Sequence, residues 1–264
     1  MTDSILVSRE GALARVTFNR PAYLNAMDFA MGERWRDVAH ELTSDASVGA
    51  IILDAAGPAF CAGGDVIAMA TSRASGTDVT AAAHVIHDGI RTFVQSDKPI
   101  VAAVQGAVAG GGLGLMLTAD YIVASESAKF VSKYANIGLT PDLGVSTLLP
   151  AAVGQRRALQ LLLQDTAIDA ATALDWGLVT EVVPGSEVAS RAAAVAQFWL
   201  DNATGAFGQA KRLVRTGVDR PFEANLADEA ASIGARFDTD EARARVAAFA
   251  AASAKQARPA PPAP

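Results

Sequence analysis

The chain has 264 residues, with 22 Lys plus Arg against 28 Asp plus Glu and so a formal charge of −6; 51% of the residues are hydrophobic and 19% are charged. That balance excludes a disordered chain, which is poor in apolar residues and rich in charge, and argues against a nucleic-acid binder, which carries a basic excess or stripe. The length is that of one large domain, or one domain with a helical appendage, and leaves room for a sizeable core.

The first ten residues, MTDSILVSRE, have neither a basic n-region nor an apolar h-region, so the reading is of no secretory signal and a cytoplasmic setting. Residues 4–8 (SILVS) and 12–18 (ALARVTF) are β-rich runs flanking Glu10-Gly11 and predict a hairpin. NRPAYLNAM is a polar turn, after which Asp28 is placed to cap a helix whose stripe is Met31, Trp35, Val38 and Leu42. The continuous apolar run VGAIILDA (48–55) predicts a strand buried on both faces, as in parallel sheets covered by helices. Residues 71–79 read as a mobile polar loop, with a helix over about 80–95. PIVAAVQ (99–105) is a second buried strand, followed by a glycine turn and a helix to about 119. The 21 uncharged residues between Lys98 and Asp120 include five glycines and a proline, which disfavours a membrane span. Short strands are expected at YIVAS, KFV and VTEVV, and helices after Asp142, Gly154 and Asp169. From Ser186 to about 253 the pattern is almost wholly helical, with the stripe Val188, Ala192, Val195, Trp199, and the tail ARPAPPAP reads as disordered. Alternating strands and helices followed by helices alone predict an α/β core with a helical C-terminal part. Helices that cannot cover their own apolar stripes pack on a neighbouring subunit, so an oligomer is expected.

Two segments carry candidate chemistry. AFCAGGDV (59–66) and GAVAGGGLGL (106–115) each follow a buried strand, where α/β folds place ligands. Each offers free backbone N–H groups at or near a helix start, and two such donors converging on one oxygen make an oxyanion hole. Tight turns and close helix–strand packing are the structural alternative for both glycine clusters. Other chemistries fit less well. A dinucleotide fingerprint starting at Gly110 needs glycine at 115, where Leu115 stands; there is no Gly-Lys pair for a phosphate loop and no G-x-S-x-G elbow. His84 and His87, three apart beside Asp88, read as a polar helix surface rather than half a metal face, and no metal site is expected. Cys61, the only cysteine, reads as a small buried residue.

In these segments and beyond them, the chain resembles the enoyl-CoA hydratase/isomerase (crotonase) superfamily over nearly its whole length. The resemblance is carried by NRPAYLNAM, AFCAGGDV, KPIVAAVQGAVAGGGLGLMLTADYIVAS, FVSKYANIGLTPDLGVSTLLP, AATALDWGLVTEVVP and AFGQAKRLV. It implies a crotonase-like ββα spiral core over 1–185 with the acyl-CoA site, a helical trimerisation region over 186–256, and a disordered tail over 257–264. It also implies an acyl-CoA thioester substrate, with coenzyme A as part of the substrate and no other cofactor, and a homotrimer or a hexamer built as a dimer of trimers; no nucleic-acid or membrane partner is expected. By the resemblance, the N–H groups of Ala62 and Gly111 hold the thioester oxygen, and Ala22, Leu24, Gly64, Asp65, Val66 and Tyr134 line the substrate site. Asp65 also reads as the cap of the short helix after the glycine turn, and Asp54 and Asp120 as structural strand-end residues. Arg20, Lys98 and Arg73 are the candidates for the CoA phosphates.

The departures from the family pattern bear on the reaction. Hydratases of the family use two glutamates to activate water; the matching positions here are Gly114 and Tyr134, and no Asp or Glu lies between Glu126 and Asp142. Asp142, in LTPDLG, stands where some isomerases of the family carry a single catalytic acid. One carboxylate can remove a proton at C2 and return it at C4 while an enolate is held between the two steps. The residue equally fits a helix N-cap, and Tyr134 fits either a hydrogen-bond donor or a pocket wall. The expected function is therefore an enoyl-CoA isomerase, with a hydratase-type lyase of atypical water activation or a non-catalytic acyl-CoA binder as alternatives.

Overall fold

The computed structural model describes residues 3–164, 166–218 and 220–256; the expected tail over 257–264 lies outside them. In chain order the elements are β1 (Ile5–Glu10), β2 (Leu13–Phe18), α1 (Phe29–Ser44), β3 (Ala50–Ala55), α2 (Val66–Thr71), α3 (Gly76–Gln95), β4 (Ile100–Val104), β5 (Ala107–Ala109), α4 (Gly111–Met116), β6 (Tyr121–Ser125), β7 (Lys129–Val131), α5 (Val145–Val153), α6 (Gln155–Gln164), β8 (Ile168–Asp169), α7 (Ala170–Trp176), β9 (Glu181–Val183), α8 (Val188–Asp201), α9 (Thr204–Gly217), α10 (Phe222–Phe237) and α11 (Asp240–Gln256). Short 3-10 turns occupy Pro21–Tyr23, Ala135–Ile137 and Gly185–Glu187.

A six-stranded sheet runs β1-β2-β3-β4-β6-β9; β1 and β2 form the antiparallel hairpin and every later pairing is parallel. A small sheet, β5-β7-β8, stands beside it. The parallel strands are covered on both sides, which is why β3 and β4 read as unbroken apolar runs. On one side α1 and α3 pack together: Trp35 lies 4.9 Å ring to ring from Phe93 and 5.8 Å from Phe18. Met31, Trp35, Val38 and Leu42, the stripe seen in the sequence, are all fully buried, each contributing about 1.5–3 kcal/mol by leaving water. On the other side α8 lays Val188, Ala192, Val195 and Ala196 over Ala50, Ile52, Val101, Ala103 and Val123. The sheet thus takes its second cover from beyond residue 185.

Caps explain where several helices begin. Asp28 accepts from the Met31 N–H at 2.8 Å, Asp65 from Ala68 at 2.9 Å and Asp169 from Thr172 at 2.9 Å. The expected mobile loop over 71–79 is shorter than the sequence reading had it, because Ser75 and Asp78 form a reciprocal capping box that starts α3 at Gly76. The helix after the glycine turn ends at Met116 rather than near 119. Asp120 is structural, as expected: its carboxylate accepts from the Ile100 N–H at 2.9 Å and pairs with Lys211 and Arg215, each at 3.2 Å. Asp54 likewise accepts from Thr17 and Arg15. Among the described residues no helix is long and apolar enough to cross a membrane.

Candidate active site

β3 and β4 run side by side, so the segments leaving their C-terminal ends emerge together. Residues 59–65 and 105–111 are then stitched by backbone bonds: Phe60 N–H to Gln105 O at 2.9 Å, Cys61 N–H to Ala107 O at 3.3 Å, and Ala109 N–H to Cys61 O at 2.9 Å. The approach is so close that a Cβ at Gly112 would lie 2.3 Å from the Cys61 carbonyl oxygen. A Cβ at Gly63 would lie 3.1 Å from the Gly111 nitrogen. The two glycine segments therefore meet, as the sequence required of an oxyanion hole.

The donor on the first segment is displaced from its expected place. Ala62 donates its N–H to the Leu24 carbonyl at 3.0 Å and so is engaged. Gly63, with φ +93°, turns the chain, and Gly64 then sits in a parallel bridge with Met27 made by Met27 N–H to Gly63 O and Asp65 N–H to Met27 O. In that register the Gly64 N–H points away from Met27. Among the described residues no acceptor takes the N–H of Gly64 or of Gly111. The open pair is Gly64 and Gly111, two residues along from the Ala62 that the sequence reading named.

Asp142 comes to the same place by an unusual route. A Cβ on Gly111 would lie 3.5 Å from its Oδ1 and 2.5 Å from Leu143 Cδ1. The N-cap of α5 is Gly144, with no side-chain cap bond, so the helix-cap alternative for Asp142 does not hold. Its Oδ1 instead accepts the Tyr134 O–H at 2.6 Å. Tyr134 is thus more than a wall: burial, and next the Asp142 charge, raise its pKa, so the phenol stays a proton donor. Leu143 adopts a left-handed backbone, φ 48°, and is buried. Its carbonyl oxygen would stand 1.8 Å from a Cβ at position 114, so main chain fills the space that a side chain there would need.

The Leu143 N–H donates to Nε2 of His87 at 3.0 Å. Burial pushes the His87 pKa down, against the pull of Asp142. Sequence reasoning passed over His87 as surface. The signal that was present is its place beside Ile86 and three residues before Ile90, both buried, which puts it at the rim of the core stripe of α3. Nothing in the sequence marks Leu143 as the left-handed residue that receives it.

The remaining expected site residues fall in several places. Leu24 is left-handed and exposed at the surface turn that also carries Ala22. Val66 is exposed at the start of α2. Asp65 is occupied by its cap and by Arg20, at 3.0 Å, and so is a structural residue rather than a ready substrate ligand. Arg20 bridges Asp65 and Asp28, each at 3.0 Å, so its guanidinium is already engaged by two carboxylates. Lys98 precedes β4, at the end of the strand opposite the glycine turn, and Arg73 stays exposed just after α2. An apolar cleft lined by Met69, Val79, Ala83, Ile86 and Leu143 is also lined by Gly64 and Asp142. Burial pushes the Cys61 thiol up to about 12, in keeping with a buried structural residue and not a nucleophile. Among the described residues no three His, Cys, Asp or Glu side chains gather to hold a metal.

Comparison with known proteins bears on the family and the fold. The family model for enoyl-CoA hydratase/isomerase matches residues 8–256. A protein of Mycobacterium bovis named a probable enoyl-CoA hydratase is 32% identical over 254 residues, covering 94% of this chain and 95% of its own. The 1,2-epoxyphenylacetyl-CoA isomerase of Escherichia coli is 28% identical, covering 86% and 87%. Among solved structures, an enoyl-CoA hydratase from Bacillus anthracis superposes with a TM-score of 0.88 at 26% identity, covering 94% of this chain and 96% of its own.

Proposed function

The chain belongs to the enoyl-CoA hydratase/isomerase family, and from that premise we propose that it is an enoyl-CoA isomerase working with a single carboxylate base. The thioester carbonyl of a 3-enoyl-CoA sits between the N–H groups of Gly64 and Gly111. Asp142 takes the proton from C2, breaking that C–H bond and forming an O–H bond on its carboxyl. The electron pair spreads over the dienolate, whose oxygen carries the charge toward the two amides. The same carboxyl returns the proton to C4, leaving the double bond between C2 and C3. Tyr134, donating to Oδ1, leaves Oδ2 to carry the proton and fixes the plane of the group. Coenzyme A is part of the substrate and no further cofactor takes part.

The observation that carries this reading is at Gly114. A hydratase carboxylate would project from there, but the Leu143 carbonyl lies 1.8 Å from the Cβ position. The acid that reaches Gly111 is Asp142, its Oδ1 3.5 Å from the Cβ position there, and one acid suffices for a double-bond shift. The names of the Mycobacterium bovis relative and the Bacillus anthracis structure favour a second reading, hydration, for which this site would need a different water-activating group.

Incubating the protein with a 3-enoyl-CoA and following the conjugated-thioester absorbance separates the readings. The isomerase gives a rise in that absorbance. A fall on incubation with a 2-enoyl-CoA, without isomerisation, would install the hydratase reading instead. Tight CoA-thioester binding by calorimetry with no turnover of either would leave a non-catalytic binder. We also propose a homotrimer or dimer of trimers, because α10 and α11 expose Phe222, Ile233, Phe237, Val246 and Phe249.

A further inference from the structure

The Asp142–Leu143 peptide is held at both ends. Its carbonyl accepts the Val145 N–H at 3.0 Å and the Tyr134 O–H at 3.3 Å. Its N–H donates to His87 Nε2 at 3.0 Å. An imidazole nitrogen that accepts a hydrogen bond is unprotonated, so His87 is neutral with its proton on Nδ1. Leu143 needs this grip: a non-glycine residue in the left-handed region is strained and persists there only where its surroundings hold it. The peptide so fixed is the one from which the Asp142 side chain springs.

We propose that His87 is a positioning residue: by accepting the Leu143 N–H, its neutral imidazole sets the peptide that aims the Asp142 carboxylate at C2. Protonation makes both ring nitrogens donors, sets an N–H against the Leu143 N–H and releases the peptide. The titratable groups facing His87 are Asp142, across the turn, and His84, on its own helix with the rings 6.3 Å apart. Asp142 favours the imidazolium, while His84 and burial oppose it, and burial is the largest influence. The net effect keeps the working, neutral form present to lower pH than for a free histidine.

The kinetic arm of the test rests on the isomerase reading. Two variants separate positioning from folding: His87→Gln keeps an acceptor that never titrates, and His87→Leu has none. Thermal unfolding checks that both are folded. With a 3-enoyl-CoA, His87→Leu is expected to lose kcat about 10²-fold, as a misaimed catalytic group does, with KM changed less than about threefold. The wild-type acid limb in kcat should include a break at the pKa that NMR assigns to His87. That break should vanish in His87→Gln, which retains activity within about fivefold. A His87→Leu kcat within about twofold of wild type, or an unchanged break in His87→Gln, would overturn the proposal. A second arm needs no turnover: the Leu143 amide should be protected from hydrogen exchange above the His87 pKa and lose protection below it. If the protein turns over no enoyl-CoA, the isomerase reading fails while this arm still decides the clasp; an amide unprotected at neutral pH would sink it.

Discussion

Replacing Asp142 by asparagine is expected to lower kcat on a 3-enoyl-CoA about 10³-fold, within the 10²–10⁴ range for loss of a general base, with KM shifted less than about threefold. The substitution is close to isosteric and isolates the chemistry. An asparagine oxygen can still accept the Tyr134 O–H, now made at 2.6 Å to the carboxylate. No helix loses its cap, because α5 is capped by Gly144 and not by the Asp142 side chain. Stability should therefore hold, with Tm within about 2 °C, while the base proposed for C2 is gone. Steady-state kinetics together with a thermal melt check both halves. Full activity in the variant would remove Asp142 from the mechanism.

Gly114→Ala is expected to destabilise the protein by about 3 kcal/mol, a fall in Tm of about 6–12 °C. The sign is informative because helix propensity alone argues the other way: alanine is better than glycine in a helix interior by about 1 kcal/mol. Here the new Cβ would stand 1.8 Å from the Leu143 carbonyl oxygen and 2.8 Å from its carbon. Those are backbone atoms of a turn held by His87 and by Val145, and cannot swing aside as a flexible side chain would. Any turnover of a 3-enoyl-CoA should also fall in the variant, since relieving the clash moves the turn that carries Asp142. For the same reason Gly114→Glu, which restores a hydratase-type acid in the sequence, should not confer hydration. Unfolding of Gly114→Ala by heat and by denaturant measures the effect. A variant as stable as wild type would mean that the turn yields freely, and the argument against a carboxylate at 114 would lose its footing.

Much of the architecture was legible because it rests on periodicity and capping. The stripe Met31, Trp35, Val38, Leu42 and its Asp28 cap appear as read, and β3 and β4 are the buried parallel strands that their apolar runs implied. The meeting of the two glycine segments was also legible, since both leave neighbouring strands at the same end. Finer geometry was not. Which amide points into the site depends on Gly63, whose positive φ turns the chain and engages Ala62 elsewhere while leaving Gly64 open. A string of small residues does not reveal where such a turn falls. Asp142 was singled out by its place in the family resemblance, and the cap reading fell away only once Gly144 was seen to take the cap position. His87 was missed because its partner, 56 positions away, is a backbone N–H that carries no side-chain signature. The polar stretch before α3 was read as loop because composition outweighed a local Ser-x-x-Asp box.

The most direct measurement is a crystal structure with a non-reactive enoyl-CoA analogue bound. The thioester oxygen is expected about 2.7–3.1 Å from the nitrogens of Gly64 and Gly111, with the Asp142 carboxylate facing C2. A carbonyl held instead by an Ala62 amide released from Leu24, or pointing away from both glycines, would contradict the account.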